Sequence, residues 1–179
     1  IPSFDPVLHV FRSAGIATGF RAWMTLDPAM QTHIVGDVVR ACFENRGAPD
    51  FIKERAWATR LAELYPGDAG IVSALCLELI HLDPGDAIYL GAGNLHAYLD
   101  GVGVELMASS DNVLRGGLTK KHVDVPELLS VLDYDGAPVI VKPRRIDENE
   151  SVYDTPAREF RLSRLVLTKN DHIVRREVQ

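Results

Sequence analysis

The stretch from Gly91 to Lys121 reads GAGNLHAYLDGVGVELMASSDNVLRGGLTKK, and it decides how the chain divides. Before it the apolar residues recur every three to four positions, and from about residue 78 they recur every second one. LIHL at 79–82, AIYL at 87–90, HAYL at 96–99 and VGVELMA at 102–108 alternate as strands do, separated by DPGD and by the Asp100-Gly101 pair. Asp-Gly between alternating runs predicts a two-residue hairpin turn. That register sets Leu99 opposite Val102, Tyr98 opposite Gly103, Ala97 opposite Val104 and His96 opposite Glu105. Ala97, Leu99, Val102, Val104 and Leu106 would then share an apolar face, with His96, Tyr98 and Glu105 on the other.

Residues 1–76 read as a helical domain. MQTHIVGDVVRACFEN at 30–45 places Ile34, Val38, Ala41 and Cys42 on one side, and FIKERAWATRLAELY at 51–65 repeats the spacing. RGAPD and YPGD break the pattern, with Asp50 and Asp68 expected as N-caps. Met24, Met30, Trp23 and Trp57 read as packing residues. Residues 77–179 read as a β domain interrupted by one short helix, PELLSVL from Pro126. Further strands are expected at VIV (139–141), in FRLSRLVL (160–167) and in HIVRREV (172–178), while KPRR with the following IDENE reads as a solvated loop. The class is α+β.

Composition narrows the function. The 179 residues carry 19 Lys+Arg against 25 Asp+Glu, a net charge of −6, which argues against a nucleic-acid or anionic-membrane partner. No run approaches the ~18 apolar residues of a spanning helix. Two cysteines, Cys42 and Cys76, match neither a disulfide framework nor a C-x-x-C site and read as buried thiols of a cytoplasmic protein. After the hairpin come Ser110, Asp111, Asn112 and Arg115, then Gly116-Gly117, then Lys120 and Lys121. Arginine's planar fork and lysine's mobile charge in one loop suit an anionic ligand.

At these residues a resemblance becomes specific. PGDAIYLGAGNLHAYLDG (84–101) and VELMASSDNVLRGGLTKKHVDVPELLSVLDY (104–134) closely resemble the C-terminal part of the type I phosphomannose isomerases, densely over 65–135 and more weakly out to FRLSRLVL. The elements H-A-Y, S-D-N-V-L-R and L-T-x-K in this order carry the likeness. The resemblance implies a helical domain followed by a cupin-type antiparallel β-sandwich, incomplete in this chain. It also implies zinc, held by a glutamine, a histidine and a glutamate from earlier strands together with the histidine of H-A-Y, here His96. It places the catalytic arginine at Arg115, a proton-handling candidate at Asp111, and pocket positions at Tyr98 and Glu105. Lys121 stands at the lysine of L-T-P-K, with Lys120 where that family has proline.

The reaction implied is the interconversion of mannose 6-phosphate and fructose 6-phosphate. The family's Q-x-H segment and its following glutamate have no counterpart before residue 30, so the chain reads as a fragment whose partner is the remaining N-terminal half of the enzyme. The competing class is a non-catalytic cupin-like module that binds a sugar or a protein.

Overall fold

The computed structural model describes residues 1–110 and 113–169. Asp111 and the strand expected at 172–178 lie outside the described residues. Among the described residues five helices and five short strands follow in the order α1 (Asp5–Met24), α2 (Pro28–Glu44), α3 (Ile52–Leu64), α4 (Gly70–Leu75), β1 (Ala87–Tyr89), α5 (Val125–Val131), β2 (Val139–Val141), β3 (Arg144–Arg145), β4 (Glu150–Tyr153) and β5 (Leu162–Leu165). The class is mixed α+β. The chain packs as two compact units, each discontinuous in sequence.

The first unit comprises Ile1–Ile80, Ala92–Gly101 and the residues from 113 to 136. Its core is the apolar side of α1 to α4: Trp23 is fully buried, and Ile34, Val35, Val38, Cys42, Ala58, Leu61, Ile71 and Val72 pack with it. The α2 face matches the expected one, with Val35 added and Ala41 half-buried. Asp27, not singled out from the sequence, caps α2: its carboxylate accepts from the amides of Ala29 (2.9 Å) and Met30 (3.3 Å), and Pro28 takes the first helical position, where no amide is needed.

Asp50 caps nothing. Phe51 occupies the N-cap of α3 in a left-handed conformation (φ 53°) with no side-chain cap. The carbonyls of Ala48 and Asp50 instead accept from the Arg55 guanidinium, which holds the turn from the helix side. Helix α5 forms where expected. Asp124 caps it through the Glu127 amide (3.1 Å), and Leu128 and Leu129 insert into the core of this unit. Trp23 and Met24 are core residues and Trp57 is half-buried, whereas Met30 is largely exposed.

The second unit comprises His81–Gly91, Val102–Ser110 and the described residues from Ala137 onward. Here β1 pairs antiparallel with β2, Ile88 opposite Ile140, and β4 lies between β3 and β5 in a three-stranded antiparallel sheet. Val152 and Tyr153 are buried, and the Tyr153 hydroxyl donates to the Gly85 carbonyl (2.7 Å). KPRR is not simply a solvated loop. Arg144 and Arg145 form β3, Lys142 bonds Asp86 (2.5 Å), and Arg144 makes a two-point contact with Asp154 (2.5 and 2.9 Å).

The hairpin expected at 96–105 does not form. Residues 92–110 contain no strand, and the ladder that would set His96 opposite Glu105 is absent. LIHL likewise stays irregular. A lone two-stranded pair has marginal stability in water, and register is enforced only where one face is buried. Val102 and Val104 are fully and 81% exposed, so nothing among the described residues covers the face that would have held the pairing in place.

Candidate functional site

Four of the expected site residues, His96, Tyr98, Arg115 and Lys121, lie in the first unit, on two irregular segments fastened to the helical core. The 92–101 segment is secured at its start. The Gly93 carbonyl accepts from the Asp133 amide (3.0 Å), and the Asn94 side-chain amide donates to the Gly136 carbonyl (3.1 Å). Leu95 and Leu99 are half-buried against the core, so the residues between them face outward. His96 and Tyr98 are exposed, two positions apart, with ring centroids 5.9 Å apart in an edge-on arrangement. They share a side, as the alternation of an extended segment requires.

The His96 ring has a defined orientation. Its Nδ1 lies 2.9 Å from the Asn94 carbonyl oxygen, which can only accept, so Nδ1 is the donor and Nε2 is the nitrogen left for a ligand. That is the arrangement found in metal-bound histidines, where a backbone acceptor fixes the tautomer of the ligating ring. The ring therefore fits one position in a zinc shell. Among the described residues no group of three or more His, Cys, Asp or Glu is placed to hold an ion. A catalytic zinc needs about three protein ligands and an open position, so these residues do not make a complete site by themselves.

The second segment carries Arg115 into the pair Gly116-Gly117. Arg115 is half-buried, and among the described residues no hydrogen bond or ion pair engages its guanidinium. The residues on both sides are tightly held. Leu114 and Leu118 pack on the helical core, and a Cβ on Gly116 would sit 2.8 Å from Leu95 Cδ1, so this backbone runs directly over the side chain that precedes His96. Gly117 (φ 131°) crosses Gly70 at the start of α4 so closely that a Cβ on Gly117 would lie 2.5 Å from the Gly70 Cα. Leu118 follows in a left-handed conformation (φ 53°).

One Asp68 carboxylate oxygen accepts from the amides of both Gly70 (2.7 Å) and Leu118 (2.9 Å). Asp68 was expected only as a cap. Its bond to a residue fifty positions away left no local signal, although the glycines at both crossing points are the residue type that a backbone-to-backbone contact demands.

Beyond this crossing the Thr119 hydroxyl accepts from the Lys121 amide (3.1 Å), turning the chain so that Lys120 and Lys121 are both exposed. Glu105 is exposed and belongs to the second unit. The structure thus brings His96 beside Tyr98 and packs the residue before His96 under the glycine after Arg115. Elsewhere the two thiols, Cys42 and Cys76, are free; burial pushes the Cys76 thiol up to about 11 and raises that of Cys42. No described helix is long and apolar enough to cross a membrane.

A mixed α+β chain with a clamped arginine loop is compatible with many enzymes, and comparison with curated proteins finds relatives that carry the name mannose-6-phosphate isomerase. The chain is homologous to part of the mannose-6-phosphate isomerases. It is 34% identical to the mannose-6-phosphate isomerase of Cryptococcus neoformans over 167 residues, which cover 89% of this chain and 38% of that protein. It is 37% identical to mannose-6-phosphate isomerase 1 of Arabidopsis thaliana over 146 residues, 81% of this chain and 34% of that protein. With the Escherichia coli mannose-6-phosphate isomerase it shares 44% identity over 95 residues, 52% of this chain and 24% of that protein. The chain therefore spans between about a quarter and two-fifths of the length of these relatives. No family model matches the chain. No solved structure matches it either.

Proposed function

We propose that this chain is part of an aldose–ketose isomerase that interconverts mannose 6-phosphate and fructose 6-phosphate. The observation that carries the reading is the homology to proteins of that name over 81–89% of the chain. In this reading the second unit is part of a cupin-type sandwich whose other strands come from outside the chain, and the exposed Val102 and Val104 belong to the face those strands would cover.

The reaction moves a proton between C2 and C1 of the open sugar through a cis-enediol, so negative charge builds on O1 and O2 and then disappears. Arg115 is the residue of this chain suited to that charge. It is held on a fixed backbone, its guanidinium has no other partner among the described residues, and its fork matches two neighbouring oxygens. Lys121, on the exposed turn after Thr119, supplies the positive charge for the phosphate. By the same resemblance Tyr98 and Glu105 are each assigned to substrate binding, and Asp111, four positions before Arg115, is this chain's candidate for carrying the proton.

Zinc is the cofactor of the complete protein, with His96 as the ligand this chain contributes through Nε2 and the remaining ligands coming from outside the chain. The test is an isomerase assay on the complete gene product with zinc present, coupled to detection of fructose 6-phosphate. Turnover of mannose 6-phosphate is expected; a folded, zinc-supplied protein that turns over neither sugar phosphate would overturn the reading.

A further inference from the structure

The clamp that fastens the loop after Arg115 has no counterpart in the chemistry just described, and it couples one side chain to the arginine proposed for the enediolate. Asp68 is itself well anchored. Its amide donates to the Tyr65 carbonyl (3.2 Å), its carbonyl accepts from Ile71 (3.1 Å), and Ile71 is fully buried. The next residue, Ala69, accepts from the indole of the fully buried Trp23 (3.3 Å). Asp68 therefore moves only if the core moves. From this anchor its carboxylate reaches the Leu118 amide, three residues beyond Arg115. Leu118 is held at φ 53°, a left-handed conformation that a leucine leaves readily unless its amide is restrained, and Gly117 before it takes φ 131°, which glycine tolerates.

We infer that Asp68 is a positioning residue for Arg115: through the Leu118 amide it locks the Arg115-Gly116-Gly117-Leu118 backbone onto the start of α4, so the guanidinium waits in place for the charge of the transition state. This rests on the reading of Arg115 as the group that meets that charge. The consequence is catalytic because a guanidinium displaced by about 1 Å can lose up to about 10²-fold in rate while substrate still binds through its phosphate.

Four variants of the complete, zinc-loaded protein test it. Asp68→Ala removes the acceptor and is expected to lower kcat by on the order of tenfold with KM changed by less than about twofold. Asp68→Asn keeps an acceptor oxygen for both amides and is expected to recover kcat to within about threefold of wild type, an outcome that a purely charge-based role would not give. Arg115→Lys alone is expected to lose about 10²-fold. The double variant Asp68→Ala/Arg115→Lys should lose no more than Arg115→Lys, because the two residues act as one unit; independent roles would multiply to about 10³-fold.

Amide hydrogen exchange over residues 113–121 supplies a readout that needs no turnover: protection of the Leu118 amide should fall in Asp68→Ala and return in Asp68→Asn. Multiplicative losses, a change confined to KM, or unchanged exchange at Leu118 would each overturn the inference. If the wild-type protein shows no isomerase activity, the functional reading falls and the catalytic role of Asp68 falls with it, while the exchange measurement still decides whether the clamp exists.

Discussion

Replacing Gly117 by alanine probes the contact that holds the site's two ends together. The added methyl carbon would meet Gly70 Cα at 2.5 Å, Gly70 N at 2.8 Å and Asp68 Oδ1 at 3.0 Å, so the obstacles are mostly backbone and cannot swing aside. Gly117 also sits at φ 131°, where holding an L-residue costs about 1–3 kcal/mol. Forcing a methyl into a packed contact adds about 1–3 kcal/mol. If the loop lifts to relieve both, the Leu118 amide loses its bond to the Asp68 carboxylate, about 1.5–3 kcal/mol for a hydrogen bond to a charged group. Enduring the strain and lifting the loop are alternatives, the cheaper sets the cost, and Gly117→Ala should therefore destabilise the first unit by about 1.5–3 kcal/mol. Urea unfolding followed by tryptophan fluorescence measures it, because Trp23 is buried in the same core. Gly47→Ala is the control: a Cβ there meets nothing within 4 Å, and its effect should stay within about 0.5 kcal/mol. A Gly117→Ala variant within about 0.5 kcal/mol of wild type, the control's range, would refute the close crossing.

Gly36 lies inside α2 with open space where its Cβ would be, so Gly36→Ala should raise stability by about 0.5–1 kcal/mol in the same urea titration. Burial raises the Cys76 thiol from 9.0 in the unfolded chain to about 11 in the fold, so its protonated form contributes stability that is intact below pH 9 and is lost as pH rises from 9 to 11. Unfolding midpoints should fall across that window in wild type and fall less in a Cys76→Ala variant. Residues 1–179 alone should not retain stoichiometric zinc after dialysis, since His96 offers one ligand; elemental analysis showing one tightly held zinc per chain would contradict this.

Much of the first unit was legible because its signals are local. The 3–4 residue spacing of Ile34, Val38 and Cys42 marks α2 without help from the rest of the chain, and PELLSVL from Pro126 marks α5. The strands were legible only where they found a partner. VIV at 139–141 pairs with Ala87–Tyr89, whereas HAYL and VGVELMA, with equally clear alternation, pair with nothing because no apolar layer covers Val102 and Val104. Alternation reports a capacity to pair, and covering surface decides whether pairing occurs. β3 and β4 were hidden for the converse reason: KPRR and ENESVY look polar, and their pairing rests on long-range contacts such as Arg144 with Asp154 and the Tyr153 hydroxyl with Gly85.

The site divides in the same way. The residue types of H-A-Y and S-D-N-V-L-R and the shared side of His96 and Tyr98 were readable in the chain, and the structure adds the bond from the His96 Nδ1 to the Asn94 carbonyl. The Asp68 clamp was not readable, since a carboxylate before Gly70 looks the same whether it accepts one amide or two.

The central claim is that Arg115 stabilises charge that exists only during proton transfer, and steady-state kinetics of Arg115→Lys in the complete zinc-supplied protein tests it most directly. The substrate's phosphate is charged throughout, whereas the enediolate is charged only in between, so loss of the two-point fork should appear in kcat. A fall in kcat on the order of 10²-fold with KM little changed is the expected result. A raised KM with kcat intact would make Arg115 a phosphate anchor and contradict the claim.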